Sequence, residues 1–279
     1  MTRLALAILF LLISRTPAIA AVAQEGGIQW YNDLKQATAA AQRSNLPMFI
    51  DFWADWCAAC KVMDKDVYPE PAVISAFERK IIGVRIHFDI QQELARKYDV
   101  QALPYLIFTN SHGTPLLAYR GLMQAADLTK VIDAMPPLTE INRLDQALQK
   151  NKNHFESLEA MANQLRAMGF FLTSSQYYER AIKTSEARKN PAKRETMMLA
   201  MGTNYLELQA GEEAVSIFDR MLKEFPKSEN RTSMLLAQAQ GYHLSGNEGK
   251  TRQLLKSIIA EYPNNDAART AKELLGEIE

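Results

Sequence analysis

Cysteine is almost missing from this chain: two residues in 279, at positions 57 and 60. A disulfide-stapled scaffold is thereby excluded, and one bridge across so short a loop removes little entropy from the unfolded chain. Histidine is nearly as sparse, with four scattered residues at 87, 112, 154 and 243. They show no metal-ligand spacing, so no metal centre is expected. An excess charge of one sign is also lacking, with 32 basic against 32 acidic residues. Nothing therefore marks a nucleic-acid binder or a protein drawn to anionic membranes. There is no glycine-rich phosphate cradle and no Ser/His/Asp constellation, and no cofactor is expected. Beyond residue 13 no apolar run approaches the length of a membrane span, so stable membrane insertion is not expected either.

The first residues read as a targeting segment. A short basic start precedes ten apolar residues at 4–13. Small residues follow, and 18–20 and 21–23 both have the A-x-A form of a cleavage site. Residues 1–23 are expected to be a signal peptide, removed after Ala20 or Ala23, and the mature protein to be periplasmic. An uncleaved anchor is the alternative, but ten apolar residues fall short of the ~30 Å hydrocarbon layer. Cleavage would leave two more acids than bases.

Two patterns divide the remainder. Residues 24–135 alternate helical and strand character. Helices are expected at 33–43, from Cys57, from Pro71, at 91–98 and at 125–134; strands are expected at 46–53, 81–89 and 105–108. A polar turn at 109–115 leads into a hairpin partner at 116–119. The run at 46–53 is apolar, β-branched and aromatic, as in a strand buried on both faces. A central mixed sheet with helices on both sides follows from this order. Pro136 and Pro137 cannot continue a helix, and 136–140 is expected to be a linker.

Residues 141–279 show helical periodicity alone, and it repeats. Met198, Met201, Gly202, Tyr205, Ala214, Phe218 and Pro226 have the spacing of a 34-residue helix–turn–helix unit, with Gly211 at the turn. Leu235, Ala239, Tyr242, Leu255, Ile258 and Pro263 recur 37 positions later. A more degraded copy runs through Ala162, Leu165, Gly169, Tyr178 and Ala181. The pattern resembles a tetratricopeptide-repeat array: three copies with a flanking helix at each end. An unrelated helical bundle is the alternative.

The chemistry lies where the 46–53 strand runs into the Cys57-Ala58-Ala59-Cys60 motif. Cys57 falls where strand gives way to helix, so free backbone N–H groups favour its ionised form, and the thiolate is the attacking species. Cys60, one turn on, is placed to displace a captured sulfur. These positions make Cys57 the nucleophile and Cys60 the resolving thiol. Asp51, on the buried strand, would have a raised pKa and take the Cys60 proton, directly or through water. A carboxylate at a wet strand edge is the other reading of Asp51.

Residues 51–61, Asp-Phe-Trp-Ala-Asp-Trp-Cys-Ala-Ala-Cys-Lys, resemble thioredoxin. They are similar also to the C-terminal thioredoxin module of the bacterial membrane reductase DsbD, as is Tyr68-Pro69-Glu70-Pro71-Ala72-Val73. Ala102-Leu103-Pro104-Tyr105 matches the loop that holds the family's cis-proline. The resemblance covers roughly residues 27–135 and implies that Pro104 packs beside Cys57 while the Leu103 backbone offers strand-like hydrogen bonds to an extended substrate. Trp56, Leu103 and Pro104 are accordingly the expected substrate-binding residues. Two departures stand out: Ala58-Ala59 replaces Gly-Pro between the cysteines, and Lys65 stands where thioredoxin has a proline. Without a histidine between the cysteines, the disulfide should be a weaker oxidant.

These features together predict a thiol–disulfide oxidoreductase that reduces protein disulfides, recharged by a separate protein electron donor. A protein partner or the substrate is expected on the helical repeats. An adaptor or chaperone-like protein with a non-essential redox site, and an oxidase or isomerase, are the competing readings.

Overall fold

The computed structural model describes residues 27–135 and 138–278. The signal-peptide and Pro136-Pro137 expectations lie outside the described residues. Five strands form one mixed sheet in the order β1-β3-β2-β4-β5. Strands β1 (Trp30–Tyr31), β3 (Ile82–His87) and β2 (Met48–Trp53) run parallel, whereas β4 (Tyr105–Thr109) and β5 (Pro115–Arg120) are antiparallel additions. The mixed sheet is as expected, although the two-residue β1 gave no signal of its own. Strand β2 lies at the centre, with Met48, Phe49, Ile50 and Phe52 fully covered. Helices α1 (Leu34–Ser44) and α4 (Gln92–Lys97) cover one face. Helices α3 (Pro71–Lys80) and α5 (Ala125–Ala134) cover the other.

Helix α1 is capped by Asp33, whose side chain accepts from Gln36 N at 2.8 Å, and it ends at Asn45 in the left-handed region. The helix expected from Cys57 is broken. Helix α2 covers only Ala58–Val62 and widens into a π-helical turn at Met63–Val67, closed by Tyr68 N to Met63 O at 2.9 Å. No proline stands here to interrupt it; burial of Met63 and Val67 in the core beneath accompanies the wide turn.

After α5 the chain is helical throughout: α6 (Thr139–Lys150), α7 (Phe155–Ala167), α8 (Phe171–Ile182), α9 (Ser185–Lys189), α10 (Pro191–Glu207), α11 (Gly211–Glu224), α12 (Arg231–Leu244), α13 (Glu248–Glu261) and α14 (Asp266–Glu277). Pairs α7–α8, α10–α11 and α12–α13 pack as hairpins, with α6 and α14 flanking them, consistent with a helical repeat solenoid. The small residues act as spacing predicts. A methyl group on Gly202 would lie 2.5 Å from the Phe218 ring, so the absence of a side chain there admits Phe218. Gly211, however, is not the turn residue. It opens α11, and the hairpin turns on Gln209 at φ 57°. Gly169 and Gly246 hold the matching place in the other hairpins at φ 78° and 74°. Short helix α9 was also unforeseen; it separates the first two hairpins.

The two halves are not loosely strung. The polar turn at 109–115 is buried along its first half: Thr109, Asn110 and Ser111 are at most 2% exposed. Asn110 Oδ1 accepts from His112 N and Thr114 N, which shapes the turn. Its outer side meets α6, where Thr114 Oγ1 donates to Asp145 Oδ1 at 3.0 Å and His112 Nδ1 lies 3.5 Å from Asp145 Oδ2. Asn142 Nδ2 donates to Asn45 Oδ1 at 2.8 Å. Beneath these contacts Leu116 of β5 is buried in the helical core with Leu138, Ile141 and Leu144.

Gln209 is the one turn residue of the three that holds a left-handed backbone with a side chain. Gln209→Gly should raise unfolding stability by about 0.5–1 kcal/mol. Gly202→Ala should instead lower it by about 1–2 kcal/mol, because overpacking against Phe218 outweighs the gain in helix propensity. Urea unfolding of both variants checks the contrast.

Candidate active site

Strand β2 places the dithiol. It leaves the sheet at Trp53, and Cys57 becomes the N-cap of α2 with extended backbone angles (φ −79°, ψ 101°). Cys57 Sγ accepts from Cys60 N at 3.1 Å, so a backbone N–H already points at the sulfur that would carry negative charge. The two cysteines are joined as a disulfide. Both are largely covered, Cys57 at 4% and Cys60 at 2% exposure, but Cys57 lies between exposed Trp56 and Ala58. Trp56 is 63% exposed, and its Nε1 donates to Asp89 Oδ2 at 2.9 Å. This fixes a large apolar face beside the cysteines.

The Leu103–Pro104 peptide is cis. Tyr105, the next residue, pairs with Phe52 near the end of β2, so the 103–104 loop lies at the sheet edge from which Cys57 emerges. Among the described residues Leu103 makes no backbone–backbone hydrogen bond, whereas Pro104 O accepts from Gly121 N at 2.9 Å.

Asp51 is 1% exposed, which removes the wet-edge reading. Sequence reasoning missed its surroundings. Arg85, directly opposite in β3, donates from Nε to Asp51 Oδ2 at 3.1 Å, and its Nη1 lies 2.9 Å from Asp64 Oδ1 on the π-helical turn. The guanidinium also lies against the rings of Trp53 (4.6 Å), Trp30 (5.6 Å) and Tyr68 (5.7 Å). The signal was present in the sequence: Arg85 is the one charged residue in the otherwise apolar run at 81–86.

Burial pushes the Asp51 carboxyl from 3.8 up to about 6, against the attraction of Arg85 and the nearby Tyr68 hydroxyl. Desolvation wins because the carboxyl lies wholly inside the sheet, and the Arg85 charge is shared with Asp64. Tyr68 in turn is raised well above 10 by burial, then by Asp51. Its hydroxyl reaches Met63 Sδ at 3.9 Å and leaves Asp51 Oδ1 buried without a protein partner. One carboxylate oxygen is therefore held by Arg85 and the other is unengaged. The arrangement can hold and release a proton near pH 6.

Residues 34–136 match the Thioredoxin-like domain family. This half is a thioredoxin-like domain. Among relatives, thioredoxin 1 of Chlorobaculum tepidum is 41% identical over 64 residues, 23% of this chain and 60% of that protein. The thiol:disulfide interchange protein DsbD of Vibrio vulnificus is 32% identical over 102 residues, 34% of this chain and 17% of that protein. The chain thus spans less than two thirds of either relative. A solved thioredoxin from Thermus thermophilus is 24% identical, with a TM-score of 0.35 over 38% of this chain and 85% of that one.

Within the thioredoxin-like domain, ionising Asp51 opposes folding. With its pKa raised in the folded state, its contribution is fully present below pH 3.8 and is lost as pH rises through about 6. Asp51→Asn should therefore stabilise the oxidised protein at pH 7, by about 1–3 kcal/mol once the loss of the Arg85 contact is set against the relief of buried charge. The gain should vanish near pH 4. Denaturant unfolding at both pH values tests the sign.

Proposed function

We propose that this chain is an exported, periplasmic thiol–disulfide oxidoreductase that reduces disulfides in client proteins. Residues 24–135 form the redox half and 141–279 a tetratricopeptide-repeat half that binds a protein partner or the client. The observation that carries the reading is the Cys57–Cys60 pair at a helix start, six residues beyond the buried Asp51, whose carboxyl pKa is raised to about 6. No helix among the described residues is long and apolar enough to cross a membrane.

The Cys57 thiolate attacks one sulfur of a client disulfide, forming a mixed disulfide and expelling the client's other sulfur as a thiolate. Cys60, losing its proton to Asp51 Oδ1 directly or through water, then attacks Cys57 Sγ. The Cys57–Cys60 bond forms and the second client sulfur leaves. Two electrons pass to the client; the Cys60 proton, held by Asp51, departs with one leaving thiolate, and the other client thiolate takes its proton from solvent. A separate dithiol protein restores the pair. Trp56 and Pro104 flank the client, and Leu103 pairs with its backbone. The reducing direction is supported by the short list of groups stabilising the Cys57 thiolate. Among the described residues there is one N–H donor, from Cys60, and the sequence has no histidine between the cysteines. A less stabilised thiolate makes a weaker oxidant.

Cys60→Ser should trap clients as mixed disulfides through Cys57 in exported extracts, visible as thiol-sensitive higher-mass bands. An absence of trapped protein while the wild-type dithiol still cycles with small thiols would overturn the reductase reading. A reduction potential well above that of glutathione would reverse the direction. Single-turnover resolution of the mixed disulfide should accelerate as pH rises through about 6, where Asp51 loses its proton and becomes able to accept one. Asp51→Asn should flatten that limb and slow resolution by about tenfold to a hundredfold at pH 7.

A further inference from the structure

The helical half carries a concentration of positive charge that the redox chemistry does not use. Between α8, α10 and α11 lies a cavity of about 460 Å³ walled by Ile182, Lys183, Arg188, Arg194, Arg220 and Glu179. A second, of about 410 Å³, shares Lys183 and Arg188 and continues past Arg180 to Asn151 and Asn153. Five cationic side chains line the two cavities, against Glu179 and Glu186 alone. The whole chain has 32 bases and 32 acids, so this excess is local.

The cations are incompletely neutralised. Arg194 is committed, bonding both oxygens of Glu224 and the Ile182 carbonyl. Glu179 is divided: Oε1 lies 3.1 Å from Lys183 Nζ, and Oε2 accepts only a long 3.4 Å bond from Arg220 Nη2. Arg220 Nε is buried and has no partner. Arg188 donates to the backbone carbonyls of Lys183 (2.9 Å) and Thr184 (3.4 Å) and makes no carboxylate pair among the described residues. A guanidinium fork is matched by a carboxylate, which neutralises it and accepts two bonds at once.

We infer that this two-lobed seam is a docking site for an acidic peptide segment of a partner protein. The inference rests on the reading that the helical half binds a protein partner. Carboxylates of the segment take up Lys183, Arg188 and Arg220, with Ile182 beneath their methylene groups. The Asn151 and Asn153 amides at the far end meet its backbone. A single small anion would fill only one lobe; charge spaced along a chain fills both. Lys183 has 72% and Arg220 39% of its side chain exposed, so the cations are reachable from solvent.

The test is fluorescence anisotropy of the full-length chain with a labelled Glu-Gly repeat peptide, with a Gln-Gly repeat as control. The Glu peptide should bind, weaken as salt screens the contact, and exceed the Gln peptide by at least about tenfold. A double variant, Lys183→Gln with Arg220→Gln, should lose about tenfold in affinity. Glu179→Gln, which removes the competing internal carboxylate, should gain severalfold, a result that misfolding could not produce. Equal binding of the two peptides, or indifference to both sets of variants, overturns the inference. Binding of anionic phospholipid vesicles through Lys183 and Arg220, with no peptide binding, overturns it equally. The underlying reading has its own readout, client trapping by Cys60→Ser carrying either the double variant or Gln240→Arg, a position that lines a separate cavity of about 520 Å³ with Leu236 of α12, Leu255 of α13 and Leu274 of α14. No peptide binding together with an altered trapped set under Gln240→Arg removes the acidic site alone. A trapped set unchanged by every solenoid variant removes the partner-binding role as well.

Discussion

A carboxyl placed inside a dry sheet organises the redox half. Asp51 lies on the central strand with apolar residues around it, and water reaches almost none of it. Such a group must be paired, protonated or both. Here Arg85 supplies the pairing, but its charge also serves Asp64, and burial still raises the carboxyl pKa to about 6. The surrounding pieces answer to that constraint. Trp30, Trp53 and Tyr68 enclose the guanidinium, and the π-helical turn brings Asp64 and Tyr68 over it. A regular helix through 63–67 would rotate those side chains away, since the wide turn changes the angular position of every residue after it.

The same strand sets the polarity of the molecule. Its last residue delivers the dithiol, and its first pairs with Thr109 at the base of the turn that docks on α6. Five steps of about 3.3 Å along this six-residue strand separate its two ends by roughly 17 Å. The contacts between the halves therefore lie at the opposite end of the sheet from the cysteines. Under the proposed function, a partner held on the helical half would be offered to the dithiol across the length of the sheet, an arrangement that would suit an extended or large client better than a small one.

The helical half has two local departures from regular repetition, and each has a physical correlate. Gln209 holds a backbone angle that glycine holds in the sister hairpins, because the turn geometry is imposed by the packing of α10 on α11 rather than by the turn residue. Helix α9 lengthens the link between the first two hairpins. That insertion brings Arg188 beside Lys183 and opens the charged seam.

The sequence by itself determined the elements whose causes are local. The buried central strand followed from its unbroken apolar run, the reactive pair from its place at a strand–helix junction, and the helical repeats from Gly202, Phe218 and their counterparts at fixed spacing. Arg85 could have been read the same way, as a charge inside an apolar strand. Tertiary structure alone decided what depended on partners distant in the chain. It paired Arg85 with Asp51 through strand register, bent the helix after the dithiol over that pair, and buried a polar turn against α6. It also drew five cations from separate helices into one seam. Periodicity reports which face a residue takes within its own element; which charge it meets across the fold is set by packing, and packing combines segments that no local pattern connects.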